Sequence, residues 1–187
     1  MPNAILDPTG TVTSAAKQAA PRAPRLASLE GKRVSLLINT KRNARPFLDE
    51  VGRLLEDRYG VTLTKRTKVN FAVPEPEDVI KELVADSDVV ITGVGDCGSC
   101  SAAAAADGVV LEAAGLPVAA IITDSFIPTA DAMAALRGAP GYKYATTAHP
   151  VAVLTEDKIK ERAAQVIDDV VALLVESGDA PSTEDEA

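Results

Sequence analysis

Asp88-Val-Val-Ile-Thr-Gly-Val-Gly-Asp-Cys-Gly-Ser-Cys100 is the stretch on which the fold turns. Asp88 to Val94 is an apolar, β-branched run, the pattern of a strand buried on both faces of a parallel sheet. Gly93, Gly95 and Gly98 then let the backbone turn sharply and let a ligand approach it closely. A helix is predicted from near Cys100 to Ala114, ended by Gly115. Strand, tight turn and helix in that order form the repeating unit of α/β proteins.

Upstream, Arg33-Val-Ser-Leu-Leu-Ile-Asn39 predicts a central strand, and Val61 to Thr67 alternates as a strand does. Between them Phe47, Leu48, Val51, Leu54 and Leu55 mark one face of a helix from Pro46 to Tyr59. Pro46 suits its first turn and Gly60 its end. Pro76 or Glu77 to Ala85 is a short helix with Val79, Ile80, Leu83 and Val84 inward. Downstream, Leu116-Pro-Val-Ala-Ala-Ile-Ile-Thr123 is a fourth strand, Thr129 to Leu136 a short helix, and Lys143 to Thr147 a fifth, shorter strand. Thr155 caps a long last helix that carries Ile159, Ala163, Val166, Ile167, Val170 and Leu174, with Glu156 and Asp157 placed to suit its dipole. The pattern predicts an α/β fold: a single three-layer domain, residues 31–177, around a mostly parallel five-stranded sheet, flavodoxin-like or Rossmann-like. The order 2-1-3-4-5 is expected first. There is no internal repeat.

Residues 1–30 read as an extended N-terminal arm, broken by Pro2, Pro8, Gly10, Pro21 and Pro24. It is expected to lie across the domain or across a partner subunit. Residues 178–187 read as a disordered acidic tail.

Of the 187 residues, 47% are hydrophobic, which suits a globular protein. Aromatics are only 3% and Trp is absent, so Val, Ile, Leu and Ala must build the core, and an aromatic cage for a ligand is not expected. The net charge of -8 argues against nucleic-acid binding. Up to Val73 there are 13 Lys and Arg against 6 Asp and Glu; beyond it there are 6 against 21. Either this is a solvated surface with an acidic tail, or some early basic residues hold an anionic substrate. No apolar run is long enough for a membrane span, and the N-terminus shows no signal-peptide region. Two cysteines three positions apart do not make the disulfide framework of a secreted domain. A cytoplasmic protein with no membrane partner is expected.

Open parallel sheets bind ligands beyond the carboxyl ends of their strands. Those ends carry Asn39-Thr-Lys-Arg-Asn43, Gly95-Asp-Cys-Gly-Ser-Cys100, Thr123-Asp-Ser-Phe126 and Ala148-His-Pro150. Both cysteines and the only histidine therefore fall on one predicted rim. Cys97 would sit at or just before a helix N-terminus, where free amides and the dipole favour a thiolate. The amides around Gly95, Gly98 and Ser99 could also hold an anionic or carbonyl oxygen of a substrate. Cys100, in the first turn, is placed to resolve an adduct on Cys97 by forming a disulfide. Asp96 disfavours the thiolate and is either a proton carrier or a hydrogen-bond anchor.

His149 is either a structural hydrogen-bonder or the group that deprotonates Cys97 or moves a substrate proton. Lys41 and Asn43 are surface residues or a grip on a substrate carboxylate. Thr123 and Asp124 are caps or substrate contacts. A zinc site would need two more ligands than the cysteines and one histidine supply, so no metal is expected. Gly93-Val-Gly95 opens like a dinucleotide fingerprint, but the third glycine is not at the required spacing, so no nicotinamide is expected.

The Gly95-Asp-Cys-Gly-Ser-Cys100 turn resembles that of the UGSC-like family, named for selenocysteine-Gly-Ser-Cys, in many members of which cysteine replaces selenocysteine. Leu6-Asp-Pro-Thr-Gly10, Pro24-Arg-Leu26, Leu29-Glu-Gly-Lys32, Asn39-Thr-Lys-Arg-Asn43, Gly115-Leu-Pro-Val118, Thr123-Asp-Ser-Phe126 and His149-Pro150 share in the resemblance, which spans about Leu6 to Val153. More distantly, the chain is similar to the C-terminal part of the selenoprotein B subunit of glycine reductase. The resemblance implies that Cys97 stands at the selenocysteine position as nucleophile, with Cys100 as resolving thiol. Sulfur in place of selenium makes Cys97 the weaker and less ionised nucleophile.

The leading expectation is a thiol oxidoreductase acting on a small anionic molecule. Cys97, Cys100, His149 and Asp96 do the chemistry. Lys41, Asn43, Gly95, Gly98, Ser99, Thr123 and Asp124 bind substrate. No cofactor is bound, and an external thiol reductant restores the pair. The alternatives are a redox-neutral cysteine-dependent lyase, hydratase or transferase, and a subunit that presents Cys97 to a larger reductase complex. The apolar last helix suggests a homodimer.

Overall fold

Residues 20–176 are described by the computed structural model, and in them strands alternate with helices. The elements are β1 (Arg33–Ile38), α1 (Ala44–Tyr59), β2 (Thr62–Thr67), α2 (Glu77–Asp86), β3 (Val89–Gly95), α3 (Gly98–Ala113), β4 (Val118–Thr123), a 3₁₀ turn (Asp124–Phe126), α4 (Ile127–Leu136), β5 (Ala145–Thr147) and α5 (Glu156–Leu174). All strand pairs are parallel and the sheet order is β2-β1-β3-β4-β5, the flavodoxin-like order expected from the sequence. The chain reverses its direction of travel between β1 and β3. The crevice at their carboxyl ends is the switch point where such sheets bind ligands.

Burial follows strand position. Every residue of β3 and β4 is buried, as is all of β1 except Arg33. The edge strand β2 is mostly exposed, and its Lys65 and Arg66 discourage pairing with another sheet. On one face, α1 and α5 pack Phe47, Leu48, Val51, Ile159, Val166 and Val170 into the main core. On the other, α2 and α3 bury Val79, Ile80, Leu83 and Leu111 against Leu37, Val90 and Val118. Gly60 ends α1 in the left-handed region, φ 59°, and donates to the Glu56 carbonyl at 2.9 Å.

Three of the boundaries that differ from the sequence reading have a visible cause. Helix α1 starts at Ala44 because Asn43, at φ 65°, already turns the chain into it, with Pro46 still in the first turn. Helix α4 starts at Ile127, where Pro128 suits the first turn. Strand β5 begins only at Ala145, the first residue with a partner on β4.

The described part of the arm lies across its own domain. Ala20 donates to the Gly138 carbonyl, Leu26 forms a parallel bridge with Val175, and Leu29 is fully buried. Residues 1–19 of the expected arm and the expected acidic tail lie outside the described residues. The apolar face of α5, on which the homodimer expectation rests, is spent on α1 and the sheet within the chain. Among the described residues no helix is long and apolar enough to cross a membrane.

Candidate functional site

β3 runs straight into the cysteine turn. Cys97 is extended, φ -161°, and is the N-cap of α3. Its Sγ accepts from the Cys100 N–H at 3.3 Å, and its carbonyl accepts the Ser101 N–H at 2.9 Å and the Ser101 hydroxyl at 2.8 Å. Cys97 and Cys100 are joined as a disulfide with α-carbons 5.3 Å apart. The two sulfurs have unequal surroundings: Cys97 is partly exposed on the rim, whereas Cys100 is only 1% exposed beneath it. Ser99 is exposed, its Oγ 3.6 Å from the Cys97 Sγ.

Asp96 is the hub of the neighbouring loops. Its carboxylate accepts from His149 Nδ1 at 2.9 Å, from the Val151 N–H at 3.0 Å and from the Ala152 N–H at 2.8 Å. Of the two sequence readings of Asp96, the geometry therefore matches the hydrogen-bond anchor. An ionised carboxylate only accepts, so His149 carries its proton on Nδ1 and leaves Nε2 as the basic nitrogen. Thr123, fully buried, donates its hydroxyl to the Gly95 carbonyl at 3.0 Å and lies 3.3 Å from Nδ1. Asp124 accepts the His149 N–H at 3.1 Å, and that bond holds its carboxyl below the usual aspartate range. Phe126 meets the imidazole edge-on at 5.3 Å between centroids. Thr123 and Asp124, expected as substrate contacts, thus fix the histidine.

Two further expectations change. The side-chain N–H groups of Asn43 are both spent, on the carbonyls of Val151 and Leu154 at 3.0 and 2.9 Å, so this residue ties loops together and does not offer them to a ligand. The space that glycine leaves at Gly95 is filled by protein: a Cβ there would stand 2.7 Å from Ile122 Cδ1 and 2.8 Å from Ser101 Oγ. Gly95 serves packing, not ligand approach. At Gly98 the reverse holds, since a Cβ would meet nothing within 4 Å and the turn lies open. Lys41 stays on the rim, with its Nζ 4.0 Å above the Phe71 ring. Among the described residues no cluster of three or more His, Cys, Asp or Glu is arranged to hold a metal.

A family model described as the UGSC family matches residues 4–176. The chain belongs to the UGSC family. No curated protein matches it, so the likeness to selenoprotein B rests on the motifs alone. Among solved structures it is similar to one described as an ABC transporter permease from the Pseudomonas fluorescens group. There the identity is 20%, over 75% of this chain and 32% of that one, with a TM-score of 0.38, too loose to bear on the site. The UGSC-family span takes in α5, which the motif resemblance had left out at Val153.

One cluster in this UGSC-family chain is absent from the sequence reading. Lys68, directly after β2, is buried with Asp107 of α3 and the carboxylate of Glu75. Lys68 Nζ is hydrogen-bonded to Asp107, whose other oxygen accepts the Glu75 N–H at 2.7 Å. Burial pushes the Asp107 and Glu75 carboxyls up, and the Lys68 ammonium pulls them back. The available signal was Asp107 itself, one of two charges, with Glu112, set among the alanines and valines of α3.

Proposed function

We propose that this UGSC-family protein is a cysteine-dependent enzyme of thiol-redox chemistry on a small anionic molecule, with Cys97 as nucleophile and Cys100 as resolving thiol. The observation that carries the reading is the inequality of the pair: Cys97 partly exposed at a helix N-terminus and next in the chain to Asp96, which holds His149, and Cys100 buried one turn further on. In the reduced protein the Cys97 thiolate bonds to an electrophilic atom of the substrate and expels the group bound there. Cys100 then attacks the Cys97 Sγ. The bond to the substrate breaks, its electron pair leaves with the released fragment, and His149 returns to that fragment, from Nε2, the proton it took when the Cys97 thiol was ionised. The substrate gains two electrons and the cysteines end as the disulfide, which an external dithiol reduces again.

Intact-mass spectrometry on the reduced Cys100→Ser variant tests this. Incubation with small electrophilic carboxylates should leave a single adduct on Cys97, trapped for lack of a resolving thiol. The wild-type protein with a dithiol should release the fragment repeatedly. An adduct on any other residue would refute the assignment of the nucleophile.

A second reading has its own support, because the Asp96–His149 pair is complete without Cys100. It makes the protein a redox-neutral lyase, hydratase or transferase using Cys97 and His149. Full turnover by Cys100→Ser without any reductant would favour it over the redox reading.

A further inference from the structure

We infer that Lys68 is a positioning residue for the resolving thiol: its ammonium group stabilises the Cys100 thiolate in the reduced protein. The inference rests on the redox reading above for its purpose, but its physical basis is separate.

Cys100, Ala103, Ala104 and Asp107 recur along α3 at the spacing of one helical stripe. Helical side chains lean toward the N-terminus, so the Asp107 carboxylate reaches back over Ala103 and Ala104, toward Cys100. Lys68 enters from the carboxyl end of β2 and places its Nζ on that carboxylate. Lys68 and Cys100 face one narrow gap, closed by Phe71, Asn39 and the two alanines. The gap has no room for a water molecule, so charges there are poorly screened.

A buried thiolate is costly unless a cation is near. The proposed cycle requires one twice. When a dithiol attacks the accessible Cys97 Sγ, the disulfide bond breaks and its electron pair departs on Cys100 as thiolate. When the adduct is resolved, that same thiolate attacks Cys97 Sγ. Neither step moves a proton onto or off Cys100 if a positive charge holds it ionised throughout. Lys68 is the cation that lines the gap. The other charged groups of the cluster are Asp107 and Glu75, with Arg137 acting on Asp107 and Arg66 on Glu75. Sequence reasoning gave Lys68 no role, and the Asp96–His149 pair does not use it.

The test is the ionisation of Cys100 in the Cys97→Ser background, followed by thiolate ultraviolet absorbance as a function of pH, which needs neither substrate nor access to the sulfur. Asp107→Asn frees the ammonium from its partner and should lower the apparent pKa of Cys100. Lys68→Met with Asp107→Asn, made in a Glu75→Gln background that leaves no orphaned carboxylate, removes the ion pair together and should raise it by at least about one unit, a tenfold loss of thiolate. Lys68→Arg should keep the parent value. With both cysteines present, reduction by a dithiol should slow about tenfold in the Lys68→Met/Asp107→Asn/Glu75→Gln protein. Circular dichroism confirms that each variant compared is folded. Parent-like titration of the triple variant, or a rise with Asp107→Asn alone, would overturn the inference. Failure of the redox reading shows elsewhere, in turnover by Cys100→Ser.

Discussion

At Asp96 a single carboxylate joins the end of β3 to the loop behind β5, and it does so as acceptor for His149 and for two backbone N–H groups. Asparagine at this position would present a donor where two amides and a ring N–H also donate. Loss of the imidazole's orientation is the direct consequence. Asp96→Asn should therefore cost turnover about as much as His149→Ala, on the order of 10²-fold, and the double variant should lose little more. Steady-state kinetics of the three proteins check this, and losses that multiply would mean that the two residues act separately. Cys97, Cys100, His149 and Asp96 were legible in the sequence because each follows a recognisable strand, and parallel sheets put their chemistry at that end. Asn43 and Thr123 were legible as rim residues but not by role. Which partner a short polar side chain chooses depends on loops far away in the chain, here residues 151–154 for Asn43 and residue 149 for Thr123.

Among the elements, β3 and α3 form the rigid pair that presents the cysteine turn, and their approach is set at Gly95. A methyl group there would press on Ile122 of β4 and on the backbone of Ser101, 3.0 Å away at its α-carbon. Gly95→Ala should destabilise the fold by about 1–3 kcal/mol. Gly98→Ala, with nothing within 4 Å, should leave stability near that of the parent. Urea denaturation of both variants separates the cases. A Gly98→Ala protein that is stable yet inactive would mark the open space above Gly98 as substrate space. Strands and amphipathic helices were readable because burial imposes a period on the sequence. Helix α3 is buried nearly all round, from Cys100 to Glu112, so it has no polar face whose spacing could reveal what each side touches. For that reason the buried roles of Asp107 and Glu112 could not be read from the sequence.

Across the whole molecule, the uneven charge of the sequence finds partners within the fold. Basic residues of the first part meet acids of the second in Arg25–Glu112, Arg33–Asp88, Arg58–Asp168, Arg66–Glu82 and Lys68–Asp107. Most are exposed and contribute little to stability each. The Glu112 contact is different, because this carboxylate is buried and holds three elements together. It accepts from the Ala23 N–H of the arm at 2.8 Å and from the Val118 N–H that opens β4 at 3.0 Å, and it pairs with Arg25 at 2.8 Å. Replacing it with alanine leaves two donors and a largely buried guanidinium without an acceptor. Glu112→Ala should therefore cost about 3–5 kcal/mol. The loss should be uneven in space. The arm from Ala20 to Leu26 keeps its bridge to Val175 but loses its central anchor, whereas the cysteine turn at the other end of α3 keeps every contact described for it. Hydrogen exchange should accordingly rise first at Ala23 and Val118, while the amides of Cys100 and Ser101 stay protected until global unfolding. Equal loss of protection at both ends of α3 would show that arm and site form one cooperative unit.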